Sequence, residues 1–322
     1  MNRSVVVLDP LAPASAQRLA ALLPQGFAFA HATARGDEHL RDVIAEADYA
    51  ISGQVPVSGA VLRAGRRLKL LHKWGVGVDN FDLEAARELG IVVARTTGSN
   101  AVPVAEFTIG LMLAALRNIA HGHAGLMRGE WRGLQGARDG FMLSRKTVGI
   151  IGFGAIGQAL ARLLAGFGCT ILYHKRQPLP AEEEARLGVR YAPLSELLAS
   201  ADVVSLHCPL TDQTAGLIDR AALATMKRTA VLVNVARGGV VVEEDLAAAL
   251  AGGVIHAAAA DVFSIEPVPA GNPLLGLPNM VVTPHLAALA ADNFEPTVRR
   301  MFANIAAHAR GEALPPGDIV VG

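Results

Sequence analysis

The sequence predicts an α/β protein built from two doubly wound parallel sheets, and three observations carry that prediction. Short β-branched runs alternate with alanine- and leucine-rich helical stretches, once before Arg95 and again after Lys146. A glycine-rich turn, "GFGAIG", joins the first strand of the second series to its first helix. A long apolar stretch of helical length, Asn100 to Ala120, separates the two series. Parallel neighbours need crossover connections and are covered on both faces, so strict alternation of strand and helix signals implies such sheets.

The first series reads "SVVVLD", a helix near Pro13 to Leu23, "FAFAH", a helix near Asp37 to Ala47, "YAISG", "LKLLHKWG" and "IVVAR". The separating stretch has few charges and reads as one helix buried between elements; Pro103, Glu106 and Arg117 argue against a membrane span. His121 to Gly140 is polar, glycine-rich and without period, which predicts an extended arm packed on a second copy of the chain, hence a homodimer. The second series supplies six strands: "KTVGIIGFG", "TILYH", "VVSLH", "AVLVNVA", "IHAAAADV" and "MVVTPH". The final helical stretch, Phe294 to Arg310, is expected to cross back to the first series. Residues 1–98 and 289–322 then form one discontinuous domain, with residues 99–288 inserted as the second.

Composition narrows the function classes. At 322 residues the chain exceeds one domain of roughly 100 to 200 residues. The 29 Lys and Arg balance 29 Asp and Glu, so no overall field recruits nucleic acid or an anionic membrane. Cys169 and Cys208 lie in apolar runs without metal-ligand spacing and read as reduced core residues, with no metal expected. The apolar run before Asp9 and Pro10 is too short for a signal peptide, and no run approaches about 18 apolar residues, which predicts a cytoplasmic protein without a membrane segment.

"GFGAIG" places G-x-G-x-x-G at Gly152, Gly154 and Gly157, after a β-rich run and before a helical one. The first glycine makes the turn, the second lets backbone approach a pyrophosphate, and the third permits close helix-to-strand packing. The amides of Ala155 and Ile156 at the helix start are positioned to receive the anion. This is the fingerprint of a dinucleotide-binding (Rossmann) domain. About 20 residues on, where a carboxylate would take the adenosine ribose, stand His174, Lys175 and Arg176. Cations there pair with a 2′-phosphate, whereas a carboxylate repels it. The expectation is a preference for NADP(H), with NAD(H) possible.

Arg237, Glu266 and His285 fall where strands of the second series should end, the edge at which open α/β sheets bind ligands. Hydride delivery to a carbonyl carbon leaves charge on oxygen, so an acid must donate a proton and a cation should hold the substrate carboxylate. Histidine suits the first role and arginine the second. A carboxylate beside the imidazole favours its protonated form, and Glu266 is the candidate partner.

With these residues in view the chain resembles the D-isomer-specific 2-hydroxyacid dehydrogenases. "KWGVGVDNFD", "NAVPVAEFTIGLMLA", "GFGAIG", "LHCPLTDQT", "NVARGGVVVEEDL", "DVFSIEP" and "NPLLGLPNMVVTPH" are similar to that family's landmarks, in its order. The resemblance implies a Rossmann domain inserted in a flavodoxin-like substrate domain. It implies Arg237 as the carboxylate ligand, His285 as acid/base and Glu266 as its partner. The amides of Val76 and Gly77 would form an anion nest, with Asn100 beside the substrate. Asp261 would face the nicotinamide carboxamide, and Thr108, Pro209, Val235 and Ala236 would line the cofactor together with His285.

Departures from the family pattern are visible. Pro103 and Phe107 replace a usual serine and histidine, and Ser52 stands about where relatives with phosphorylated substrates carry arginine. "KRQP" is similar to the turn of the family's NADP(H)-dependent glyoxylate and hydroxypyruvate reductases. The resulting expectation is reduction of a small 2-oxo acid to the D-2-hydroxy acid. The alternatives are an NAD-dependent enzyme for a larger or sugar-derived acid, and a nucleotide-sensing interaction protein of the corepressor type.

Overall fold

Valine, isoleucine and leucine runs short enough for strands, each followed by a helix, order this chain into two units. The computed structural model describes residues 2–131 and 139–322. Met1–Asn100 with Ala290–Gly322 form the first compact unit, and Ala101–Leu289 form the second.

The first unit contains β1 (Arg3–Val7), α1 (Pro13–Ala21), β2 (Phe27–His31), α2 (Asp37–Ile44), β3 (Tyr49–Ser52), α3 (Gly59–Ala64), β4 (Leu70–Lys73), α4 (Leu83–Glu88) and β5 (Val92–Ala94). The second runs from α5 (Ala101–Leu116) and α6 (Ile119–Met127) through β6 (Thr147–Ile151), α7 (Ala155–Ala165), β7 (Thr170–His174), α8 (Ala181–Leu187), β8 (Val189–Tyr191), α9 (Leu194–Ser200) and β9 (Val203–Leu206). It continues with α10 (Arg220–Thr225), β10 (Val231–Asn234), α11 (Glu243–Ala251), β11 (Ala257–Ala260) and β12 (Met280–Val282). The chain then re-enters the first unit with α12 (Phe294–Ala309) and β13 (Ile319–Val321).

The first sheet has the order β13-β5-β4-β3-β1-β2 and is parallel except for β13, which runs antiparallel to β5. Successive strand residues feed opposite faces: Val6, Ala50, Leu71 and Val93 join one core, while Val5, Val7, Tyr49, Ile51, Leu70 and Ala94 join the other. Each fully buried valine, leucine or isoleucine contributes about 1.5–3 kcal/mol relative to an exposed one. The second core is completed by Val298, Met301, Phe302 and Ile305 of α12, which recur at i, i+3, i+4 and i+7.

A buried polar network fastens α12 and β13 to this sheet. Asp318, fully buried, accepts from Thr97 N at 2.8 Å, from Arg300 at 2.9 and 3.0 Å, and from Asn304 Nδ2 at 3.1 Å. Asn304 also meets His72 Nε2 at 3.2 Å, and His72 Nδ1 bonds Lys73 O at 2.8 Å. Burial pushes the His72 imidazole down to about 4, so it is neutral at pH 7 and accepts from Asn304.

The second sheet has the order β12-β11-β10-β9-β6-β7-β8 and is parallel throughout. Counted within the unit, its first six strands follow the order 3-2-1-4-5-6 from β8 to β11, with β12 extending the far edge, so the direction of winding reverses between β6 and β9.

Four expectations are corrected here. The second sheet has seven strands because Val189–Tyr191 adds an edge strand too short to show a period. β13 breaks the all-parallel reading of the first sheet for the same reason. The stretch Asn100–Ala120 is two helices: Asn118 takes a left-handed φ of 56° between α5 and α6, and α5 buries one face while Val102 and Glu106 are exposed. The start of the supposed arm is helical in α6, where Gly122 and Gly125 depress helix propensity enough to hide it in the sequence. The rest of that arm includes residues 132–138, outside the described residues. Among the described residues no single helix is long and apolar enough to cross a membrane, and α5 with α6 bends by 67°.

Candidate active site

In the second unit the parallel register aligns strand ends, pairing Ile151 with Leu206, Leu206 with Asn234, Asn234 with Ala260 and Ala260 with Val282. The loops that follow these strands therefore share one edge. Gly152 has φ 92°, and a Cβ there would overlap the backbone of His207 and Cys208, so only glycine allows the loop after β9 to cross the turn. A Cβ on Gly157 would meet Gly152 O at 2.7 Å, whereas one on Gly154 would meet none of the described residues within 4 Å. Gly154 and Ala155 are exposed at the start of α7, which no side chain caps among the described residues. Open space over free amides at an 11-residue helix N-terminus fits a pyrophosphate.

The next strand, β7, ends at His174, whose Nδ1 contacts Ala192 O at 3.1 Å and whose backbone carbonyl accepts from Gly152 N at 2.9 Å. Lys175 is half-buried and Arg176 exposed, and neither pairs with another described residue. The loop continues to Leu179, whose N–H donates to Tyr173 Oη at 2.7 Å. Pro209, after β9, is exposed, and Val235 and Ala236, after β10, are nearly buried. Thr108 is fully buried in α5 with its hydroxyl donated to Val104 O at 2.6 Å.

Three loops bring the acid/base candidates together. After β12, His285 adopts φ 55°, a left-handed conformation held because its N–H donates to Asp261 O at 2.8 Å. Asp261 is fully buried and locks the same turn with its side chain: Oδ1 accepts from Thr283 Oγ1 at 2.6 Å and Leu286 N at 2.7 Å, and Oδ2 accepts from Ala287 N at 2.8 Å. Glu266, after β11, meets His285 Nδ1 through Oε2 at 2.7 Å and takes Phe263 N on Oε1 at 3.0 Å. Burial pushes the Glu266 carboxyl up. The bonds from His285 and Phe263 and the charges of His285 and Arg237 outweigh that and hold it below its usual range.

Arg237, after β10, donates to Ala236 O at 2.7 Å, and its own carbonyl receives Asn234 Nδ2 at 2.9 Å. Asn234 Oδ1 takes Ala236 N at 3.0 Å, so one buried amide closes the turn that presents the arginine. Gly238 follows, and a Cβ there would overlap the backbone of Phe263 and Ser264. The arginine loop thus lies directly on the loop that carries Glu266.

The remaining candidates lie in the first unit. Val76 and Gly77 follow β4 in a half-buried bend, with Val76 O accepting from Arg95 at 3.4 Å. Lys73 reaches Asn80 Oδ1 at 2.7 Å and Gly53 O. Asp9 holds the loop after β3 by accepting Gln54 N at 2.9 Å and Val55 N at 3.1 Å. Ser52 is fully buried and donates to Val55 O at 2.7 Å, so it serves the loop itself. Asn100 Oδ1 is buried without a partner among the described residues.

Several positioning residues were not apparent in the sequence. Glu243, in the first turn of α11, is buried and accepts Ser264 N at 2.6 Å while also binding Asn272 Nδ2. It holds the loop that delivers Glu266. His207, beside the glycine turn, bonds Ser205 Oγ through Nε2 at 2.8 Å, and burial pushes its imidazole down to about 3. The only available signals were an acidic residue at a helix start and a histidine ending a strand, which solvated or core residues produce equally.

An edge that offers an anion-binding turn after β6 and, four strands along after β12, an imidazole held by a carboxylate suits hydride chemistry on a carbonyl, the frame of a nicotinamide-nucleotide dehydrogenase. Comparison with known proteins narrows that class. Residues 109–287 match the model of the D-isomer specific 2-hydroxyacid dehydrogenase, NAD binding domain, and the chain belongs to this family. It is 39% identical over 258 residues to a hydroxypyruvate reductase of Thermotoga maritima, covering 79% of this chain and 82% of that protein. It is 42% identical over 259 residues to a D-3-phosphoglycerate dehydrogenase of Methanocaldococcus jannaschii, covering 80% of this chain but 49% of that protein, about half its length. The crystal structure of the TT0316 protein from Thermus thermophilus superposes with a TM-score of 0.87 at 35% identity, covering 99% of this chain and 100% of that one.

Proposed function

We propose that this chain is an NADP(H)-preferring reductase of small 2-oxo acids of the glyoxylate or hydroxypyruvate type, forming the D-2-hydroxy acid. The observation that carries the reaction type is the 2.7 Å contact between His285 and Glu266 with the Arg237 loop packed against it. A nicotinamide dinucleotide held by its pyrophosphate at the glycine turn would supply the hydride. His285 donates the proton to the oxygen that becomes the hydroxyl, Glu266 orients the imidazole through Nδ1 and leaves Nε2 for that transfer, and Arg237 holds the substrate carboxylate. Gly152, Gly154, Ala155, Ile156 and Gly157 take the pyrophosphate, while Val235, Ala236, Pro209, Asp261 and Thr108 are assigned to the remaining cofactor wall. The first unit is assigned to substrate, with the amides of Val76 and Gly77 and the side chain of Asn100 as its ligands.

The cofactor preference rests on Lys175 and Arg176, two cations at the end of β7 without a carboxylate beside them in the chain. The phosphoglycerate reading, which the 42% identical relative favours, is weakened by Ser52, whose hydroxyl is committed to Val55 O. A panel of 2-oxo acids assayed with NADPH and NADH tests both. Turnover of glyoxylate or hydroxypyruvate with a lower KM for NADPH is expected, and Arg176→Ala should raise that KM by about 5- to 50-fold, as loss of one charge-assisted bond of roughly 1–2.3 kcal/mol predicts. Turnover of none of the acids, or an unchanged preference in the variant, would refute the corresponding part.

Homodimerisation is part of the same proposal. Met127 and Trp131, 74% and 86% exposed, and Ile119 and Leu126 gather apolar surface on and just after α6. Sedimentation velocity should give twice the chain mass of 33.6 kDa, and a monomer would remove the inference.

A further inference from the structure

We infer that Tyr173 is the positioning residue that sets the basic loop against the glycine turn and so gives Arg176 its selectivity for a 2′-phosphate. The inference rests on the cofactor reading above and adds a residue that touches neither cofactor nor substrate. Tyr173 lies on β7 and is fully buried. Its ring packs on Phe153, the residue between Gly152 and Gly154, with centroids 4.4 Å apart, and edge-on to Tyr191 at 5.7 Å. Its hydroxyl accepts Leu179 N–H at 2.7 Å and donates to Glu184 Oε1, in α8, at 2.6 Å.

One side chain therefore touches the turn assigned to the pyrophosphate and pins the far end of the loop that carries Lys175 and Arg176. A strand position inside a core needs no hydroxyl, and burying one is unfavourable unless both its hydrogen-bonding roles are filled. Here both are filled, by the backbone of the loop and by the helix that follows it. Two cations held close together on an exposed loop repel each other, and anchoring Leu179 removes conformations that a 2′-phosphate would otherwise have to select against. An unmodified ribose makes no such demand, so the anchor should matter for NADPH and little for NADH.

The test measures KM and kcat with both cofactors for the wild type, Tyr173→Phe, Arg176→Ala and the double variant, in the full chain. Tyr173→Phe keeps the ring on Phe153 and removes the hydroxyl. It should raise KM for NADPH about 3- to 10-fold, the loss of roughly one hydrogen bond, with kcat at saturation and KM for NADH within about twofold of wild type. In the Arg176→Ala background the same change should have no further effect on KM for NADPH, because the hydroxyl acts through the arginine. Glu184→Ala, which leaves the tyrosine in place, should move the NADPH to NADH ratio in the same direction by less. An equal rise for both cofactors, or effects that add in the double variant, would overturn the inference. If Arg176→Ala abolishes a wild-type preference that Tyr173→Phe leaves intact, the inference alone fails. If the wild type shows no preference for NADPH, the cofactor reading fails and takes the inference with it.

Discussion

Replacing His285 by alanine is expected to lower turnover of a 2-oxo acid by on the order of 10² to 10⁴, the range for loss of a positioned general acid. Its imidazole is the proton source in the proposed reaction, and its orientation is over-determined. Glu266 Oε2 takes one ring nitrogen at 2.7 Å, and the backbone N–H bonds Asp261 O at 2.8 Å. Asp261 holds the turn through Thr283, Leu286 and Ala287 whatever side chain occupies position 285. The variant should therefore fold, with an unchanged circular dichroism spectrum, while kcat collapses. Full turnover by His285→Ala would place the proton donor elsewhere.

Asp318→Ala should destabilise the first unit by about 3 kcal/mol, the lower end of the range for removing one member of a buried pair. The lower end applies because the Arg300 side chain is 41% exposed and regains water, while Thr97 N–H and Asn304 lose their acceptor inside. Urea unfolding monitored at several denaturant concentrations measures the change. The pH dependence follows from the same contacts. Burial pushes the Asp318 carboxyl up, but bonds from Thr97, Asn304 and Arg300 and the Arg300 charge hold it below the usual carboxylate value. A depressed carboxylate stabilises the fold fully above its unfolded value, near about 3.9, and that contribution disappears as pH falls through the folded value. Wild-type stability should thus fall below about pH 4, and Asp318→Asn should flatten that fall. Part of the slope should remain, because Asp48, Asp202 and Glu266 are also held low. An acid slope identical in variant and wild type would exclude this account.

Most strands longer than three residues were legible in the sequence because burial on both faces makes them continuous apolar runs between turn residues. The glycine turn was legible because its three glycines answer different local demands, a positive φ at Gly152, open space over Gly154 and close packing at Gly157. Arg237, Glu266 and His285 could be singled out because each ends a strand of the inserted series. Short elements were missed: β8 and β13 have three residues each and depend on a neighbour for their hydrogen bonds. α6 was missed because its glycines and histidines carry little helix propensity, and packing overrides propensity.

Residue order alone thus determined the alternating layers, the dinucleotide turn, the basic loop and the chemical types at the strand ends, since local period and side-chain chemistry encode all of these. Tertiary packing decided how the site is held. Gly238 lies on Phe263, Glu243 reaches Ser264 and Asn272, Asp261 turns inward to brace His285, and Tyr173 ties a loop to a glycine turn. Such contacts join residues with no fixed spacing in the chain, and a buried carboxylate or phenol reads in sequence like an exposed one. Only the fold shows which of them water has left.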